Sequence, residues 1–201
     1  MNARTFSNKE YLELFLSGKS NSVGKVLLPH EKEAVEKAAK KQKNTYTDVV
    51  EQTKPESGGD DRRGVAFATT DKEAKTIGLQ MAVISPYIGA TVVEYPVPGE
   101  SRATLGSRVL VNQNGYSFPI DIVSFRWGYP DDVTSAEFED EVMGISPDAP
   151  LAAVILGKTV GFEGLLHIAG SDDLQVTIEK IDQMAIQLHF MHEVQIIEII
   201  E

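Results

Sequence analysis

Two apolar seams that run toward each other across a turn restrict this chain more than any other feature. Val35, Ala39, Gln42, Tyr46, Val49 and Thr53 recur at alternating spacings of four and three. Phe67, Thr70, Ala74, Ile77, Met81, Ile84 and Ile88 recur at three and four. Residues at those spacings share one helix face, so each set reads as a heptad stripe. Between them, Pro55-Glu56-Ser57-Gly58-Gly59-Asp60-Asp61 cannot continue a helix and reads as a turn. Thr53 then falls opposite Phe67, Tyr46 opposite Ala74 and Ala39 opposite Met81, every pair centred on Asp60. The pattern predicts an antiparallel helical hairpin, a two-helix coiled coil with its tip near residues 55–61. Pro29 suits its first turn, and Pro86 should end it at about Ser85. Gln42 makes the seam polar in its middle, and residues 44–47 and Gly78 lower helix propensity enough to allow a break. Arms of about 24 residues reach roughly 36 Å. Two helices close no core alone, so the arm must project from a body or lie against one.

The rest of the chain can supply that body. Ser7-Asn8-Lys9-Glu10 is a capping box ahead of Tyr11, Leu12, Leu14, Phe15 and Leu16, which predicts one short helix. Thr91-Val92-Val93-Glu94-Tyr95-Pro96-Val97-Pro98-Gly99 reads as a strand end running into an extended linker. Beyond it, Arg108-Val109-Leu110-Val111 and residues 116–125 flank Asn114-Gly115, a strong two-residue hairpin signal. Residues 164–169 and 174–181 flank Ser171-Asp172-Asp173, a second hairpin. Residues 128–141 are acidic and turn-rich. Ile186, Leu188 and Phe190 alternate as in a strand. The fold class is therefore α+β. Residues 1–95 form a helical hairpin domain, and residues 96–201 an antiparallel sheet domain with a short helix.

That helix belongs to Met143-Gly144-Ile145-Ser146-Pro147-Asp148-Ala149-Pro150-Leu151, a turn-rich loop running on to Ile155-Leu156-Gly157-Lys158-Thr159-Val160-Gly161-Phe162. Ser146 or Asp148 can cap a helix N-terminus, and Pro150 fits its first turn. Leu151, Val154 and Ile155 give one apolar face, and Gly157 sits where a C-cap wants positive φ.

Ile145, Ser146, Asp148, Pro150, Leu151, Leu156, Gly157, Lys158, Val160 and Gly161 match at fixed spacing a segment of the form I-S-x-D-S-P-L … A-L-L-G-K-x-V-G-D. In this the chain resembles the bacterial Gre (GreA/GreB) transcription elongation factors, most closely over residues 100–182. The resemblance implies an FKBP-like C-terminal domain. It also implies that Ser146, Asp148, Pro150 and Leu151 dock on RNA polymerase beside its secondary channel. The hairpin would then enter the channel and modulate transcript cleavage. Asp60 and Asp61 would lie at its tip and share the second catalytic Mg²⁺ of the polymerase. The family's tip sequence, of the form G-D-x-S-E-N-A-E-Y, is absent. The chain itself is then no enzyme and needs no cofactor of its own. Two rival readings stand beside this one: a Gre-like antagonist that fills the channel without cleavage, and an FKBP-like prolyl isomerase or chaperone, which needs an aromatic pocket.

Charge agrees with a divided molecule. The net charge is −11, yet residues 1–90 carry 14 basic and 12 acidic side chains while residues 91–201 carry 5 and 18. So acidic a surface does not hold nucleic acid unaided, and it suits a basic protein surface. Solubility is the plain alternative. DNA or RNA contact falls to the first half, where Lys37, Lys40, Lys41, Lys43, Arg62 and Arg63 could track the nascent RNA 3′ end or simply face solvent. Asp60 and Asp61 can equally be ordinary turn residues beside Arg62-Arg63.

Other chemistry is faint. Gly157-Lys158-Thr159 lacks the upstream glycine of a phosphate loop, position 152 being Ala152. His189 and His192, with Glu193, would point to opposite faces of a strand. His30 and His167 read as structural or exposed, and Trp127 as packing. There is no Cys and no apolar run approaching the roughly 20 residues of a membrane helix. The expectation is a cytoplasmic monomer that contacts no membrane and binds no metal when free.

Overall fold

The computed structural model describes residues 5–52, 63–124, 142–170 and 172–182. Strand β1 (Thr5–Phe6) leads into helix α1 (Asn8–Leu16), and both halves of the capping box form: the Ser7 hydroxyl accepts from the Glu10 N–H, and the Glu10 carboxylate accepts from the Ser7 N–H at 2.9 Å. Strand β2 (Val26–Leu27) precedes helix α2 (Pro29–Gln52), and helix α3 (Arg63–Ile84) precedes strand β3 (Thr91–Val93). The three short strands form a parallel sheet in the order β1-β3-β2. Neither this sheet nor strand character at β1 and β2 was legible, because a two-residue strand carries no periodicity.

Since β2 and β3 are neighbours, the chain leaves along α2 and returns along α3 to the same place. Val35 shares a buried cluster with Leu27, Ile84 and Ala90, and the Gln42 side-chain amide donates to that of Gln80. The start of α2 thus lies beside the end of α3, and the two helices run in opposite directions. No break occurs at residues 44–47. Thr45 and Thr47 instead donate their hydroxyls to the carbonyls of Lys41 and Lys43, each at 3.0 Å, and remain helical. The stripe is not buried at every described position: Tyr46 is 51% exposed and Ile88 is 55% exposed. Ile88 lies past the helix end, in extended backbone. Residues 53–62, which include the expected tip at 55–61 with Asp60, Asp61 and the adjacent Arg62, lie outside the described residues.

The second sheet has the order β6-β5-β4-β8-β7, from β4 (Arg108–Gln113), β5 (Tyr116–Ile122), β6 (Met143–Ile145), β7 (Glu163–Leu166) and β8 (Leu174–Asp182). The Asn114-Gly115 turn behaves as its type demands, with φ of 51° and 90°. It sets the register Val109↔Ile120 and Val111↔Phe118. One expectation is corrected: the sheet is mixed, because β6 pairs with β5 in parallel. Residues 143–145 are therefore strand, where the glycine and the nearby prolines had suggested loop. Residues 184–200 and 128–141, with Trp127, His189, His192 and Glu193, lie outside the described residues.

Alternation decides which face of this sheet is covered. Val109, Val111, Ile120, Ile122, Val176 and Ile178 are all fully buried and pack with helix α4 (Pro150–Ile155) through Ala152 and Ile155. Each such side chain contributes about 1.5–3 kcal/mol through removal from water. The same cluster takes in Tyr11, Val26, Leu28 and Val93. One core therefore draws on residues from both sides of position 95/96. Asn8 ties the two sheets further, donating to the carbonyls of Glu94 at 3.1 Å and Leu105 at 2.6 Å.

Candidate functional site

Residues 145–161 fold as one continuous unit of strand end, loop, helical turn and glycine-closed turn. Ile145 is buried at the end of β6. Ser146 is half-buried, and its carbonyl accepts from the Ala149 N–H at 2.9 Å. Asp148 and Pro150 are exposed at the bend, while Leu151 is half-buried against the core. Pro150 occupies the first turn of α4, as expected. The capping expectation is corrected: the N-cap is Ala149, with no side-chain cap, so neither Ser146 nor Asp148 serves α4. A helix of six residues beginning with proline leaves few amides to satisfy.

Gly157 closes the unit with φ of 77°. A Cβ there would also stand 3.0 Å from the Leu16 side chain, so the end of α1 lies directly on it. Gly157 N–H donates to the Ala103 carbonyl and Ala103 N–H to the Lys158 carbonyl, both at 2.8 Å. Lys158 places its ammonium 4.9 Å from the centre of the Phe162 ring. The unit is thus held from three sides, by α1, by the strand-like run at Ala103 and by β6.

The Asp148 charge acts on Tyr11 of α1 and on Tyr87, just past the end of α3. Burial pushes the Tyr11 phenol up to about 12, and the Asp148 and Glu31 charges add to the shift. Burial likewise raises Tyr87, beyond the end of α3, with Glu31 and then Asp148 contributing. The Lys25 ammonium lies 5.6 Å from the centre of the Tyr87 ring. His30, in the first turn of α2, stacks on Tyr95 at 5.7 Å and 4°, and its Nδ1 lies 2.7 Å from the Tyr95 hydroxyl. Burial lowers His30 to about 4, which keeps it neutral.

The groups expected to act together are spread along the molecule. Ser146, Asp148, Pro150 and Leu151 share one loop at the base. Lys37, Lys40, Lys41 and Lys43 are exposed along α2, and Arg63 opens α3. His167 is exposed and lies 2.6 Å from Asp173 in the β7–β8 hairpin. Among the described residues, no group of three or more His, Asp or Glu could hold a metal, and no helix is long and apolar enough to cross a membrane.

Three buried charged side chains were missed. Arg108 grips Asp121 with two parallel bonds of 2.7 Å, the carboxylate being fully buried. The hairpin register places them directly opposite, so counting outward from Asn114-Gly115 would have found the pair. Glu31 is 3% exposed, and its carboxylate accepts from Leu28 N–H at 2.7 Å, from Ser124 N–H at 2.9 Å and from the Ser124 hydroxyl. The first of these is half a capping box, with an N-cap leucine where a serine is usual. A glutamate three residues after Leu28, just behind Pro29, was the available signal.

No family model matches the sequence, and no curated protein does. The chain is similar to Gfh1. The crystal structure of Thermus aquaticus Gfh1 is 18% identical, covers 79% of this chain and 98% of that chain, and gives a TM-score of 0.33. That of GreA factor homolog 1 (Gfh1) from Thermus thermophilus is 16% identical, covers 79% and 99%, and gives 0.31. The prokaryotic transcription elongation factor GreA/GreB from Nitrosomonas europaea is 25% identical, covers 60% and 90%, and gives 0.28.

Proposed function

We propose that this chain is a Gre-type transcription elongation factor: an accessory protein that binds RNA polymerase through residues 145–151 and inserts α2 and α3 into the secondary channel. One observation carries the reading. The motif shared with Gre factors, Ile145 to Gly161, folds as one unit in which its apolar members Ile145 and Leu156 are buried while Asp148 and Pro150 are presented to solvent. Packing accounts for Ile145 and Leu156, and the start of α4 for the backbone at Pro150, but neither accounts for the exposed Asp148 side chain beside it; a docking loop does. Ser146 and Leu151, half-buried, hold the bend from below.

The paired helices supply reach, and the stretch of sequence between them includes Asp60 and Asp61. Adjacent carboxylates are the donor type Mg²⁺ takes, alongside water and phosphate. Asp60 and Asp61 would help to hold the polymerase's ion, whose chemistry there would be to polarise water for phosphodiester cleavage. Lys40, Lys41, Arg62 and Arg63 offer charge to the RNA 3′ end. A second reading, an antagonist that slows nucleotide addition without cleavage, is favoured by the absent family tip sequence.

A stalled elongation complex incubated with the protein separates these outcomes. The stimulator releases short RNA, and Asp60→Asn with Asp61→Asn abolishes that release. The antagonist releases none but slows extension. No effect on either, or peptide-bond isomerisation in a proline-peptide assay, would overturn the polymerase reading.

A further inference from the structure

We propose that Glu31 is a positioning residue that fixes the angle between the paired helices and the 145–151 loop. Its consequence for transcription rests on the polymerase reading, but the angle itself is a property of the free protein. Glu31 stands in the first turn of α2, and its buried carboxylate binds Leu28 and Ser124 as described. Ser124 follows the end of β5 by two residues, and its neighbour Val123 donates its N–H to the Ile145 carbonyl at 2.9 Å. Ile145 ends β6, and Ser146 opens the loop. The first turn of the arm and the loop are therefore joined by consecutive hydrogen bonds through residues 123–124.

The other attachments of α2 do not reach that loop: Val35 packs with Leu27, Ile84 and Ala90, and His30 stacks on Tyr95. Strand β2 has only two residues and ends one residue before Pro29, so its ladder does little to fix the direction in which α2 leaves the sheet. A planar carboxylate with charge-assisted bonds resists a change in that direction, because tilting the helix lengthens every bond at once. The geometry matters because the arm is long. A tilt of about 10° at the base moves the end of an arm of about 36 Å by about 6 Å. That exceeds what a group acting at a reactive phosphate tolerates.

The chain has no Cys, so spin labels at Lys43→Cys on α2 and Gln175→Cys on β8, both exposed, report the angle by pulsed electron–electron distance measurement. The otherwise unaltered protein should give one narrow distribution. Glu31→Gln, which turns one carboxylate oxygen into a donor facing donors, should widen it about twofold as that restraint is released. Ser124→Ala should widen it less, and Ser124→Thr, which keeps the hydroxyl, should restore it. Circular dichroism selects the variants that remain folded. Polymerase binding by Glu31→Gln should persist while its effect on the stalled complex is lost. Unchanged width in folded Glu31→Gln and Ser124→Ala would overturn the proposal. Widening with an undiminished effect on transcription would overturn its functional half. Widening in a protein whose unaltered form ignores polymerase would uphold the positioning role and defeat the polymerase reading instead.

Discussion

The five-stranded sheet and the paired helices stabilise themselves by different means. The sheet's covered face is continuous: six β-branched residues from three adjacent strands are fully buried against α4. The helix pair has a narrow seam. Its buried apolar members near the base are Leu27, Val35, Ile84 and Ala90, followed outward by Ile77 and a buried polar pair, Gln42 and Gln80. By Tyr46 the side chain is half in solvent. A layered core tolerates no loose end, whereas an antiparallel pair is held at its base and can weaken outward. The loop at residues 145–151 lies against the layered core.

Truncation should expose the contrast most strongly. Ile120→Ala in the sheet is expected to cost about 4 kcal/mol, and Ile77→Ala in the seam about 2 kcal/mol, because a thin seam collapses around a cavity more easily than a closed core. Chemical denaturation of both variants checks this, and equal losses would erase the distinction. Acid should separate the regions next. His30 titrates at about 4 when folded, against an ordinary 6.5, so the unfolded chain takes up its proton first. Stability from this group is therefore complete above about 6.5 and falls as pH drops toward 4, by up to about 3 kcal/mol. Amide exchange at the start of α2 should accelerate over that window before exchange in β4 does, and His30→Gln should remove the difference.

Smaller changes sharpen the comparison. Gln42→Leu alone leaves the Gln80 amide buried without its partner and should cost about 2 kcal/mol, whereas Gln42→Leu with Gln80→Leu should be neutral or stabilising. A double variant as unstable as the single would mean that the polar pair does more than fix which residues face each other. Least affected should be the sheet's turn: Asn114→Ala, at φ of 51°, is expected to cost about 1 kcal/mol and leave the register intact. Thermal melts resolve both.

What was legible follows from the range of the signals. Local chemistry was readable: the Ser7–Glu10 box, the Asn114-Gly115 hairpin, the end of α3 near Ser85 and the positive φ at Gly157 all depend on residues within a turn of one another. Helix pairing was readable because a heptad stripe repeats. Strands of two or three residues were not. Nothing in Thr5–Phe6 or Val26–Leu27 distinguishes them from loop, and Met143–Ile145 carries a glycine that argued for a turn. Their pairing is decided by distant partners. Buried polar links such as Asn8 to Leu105, or Glu31 to Ser124, join positions more than 90 apart and leave only a faint local trace. At the candidate site, the sequence pointed to Ser146, Asp148, Pro150 and Leu151 through resemblance. Their arrangement as a solvent-facing bend on a sealed base came from the fold.

The central claim is that this bend docks on RNA polymerase, and binding tests it directly. Immobilised core polymerase should retain the wild-type protein and release the Asp148→Ala, Pro150→Ala double variant at least about tenfold more readily, a loss of about 1.4 kcal/mol. Because both side chains are exposed, the melt of the variant should stay within a few degrees of wild type. Undiminished binding by a folded double variant would contradict the claim.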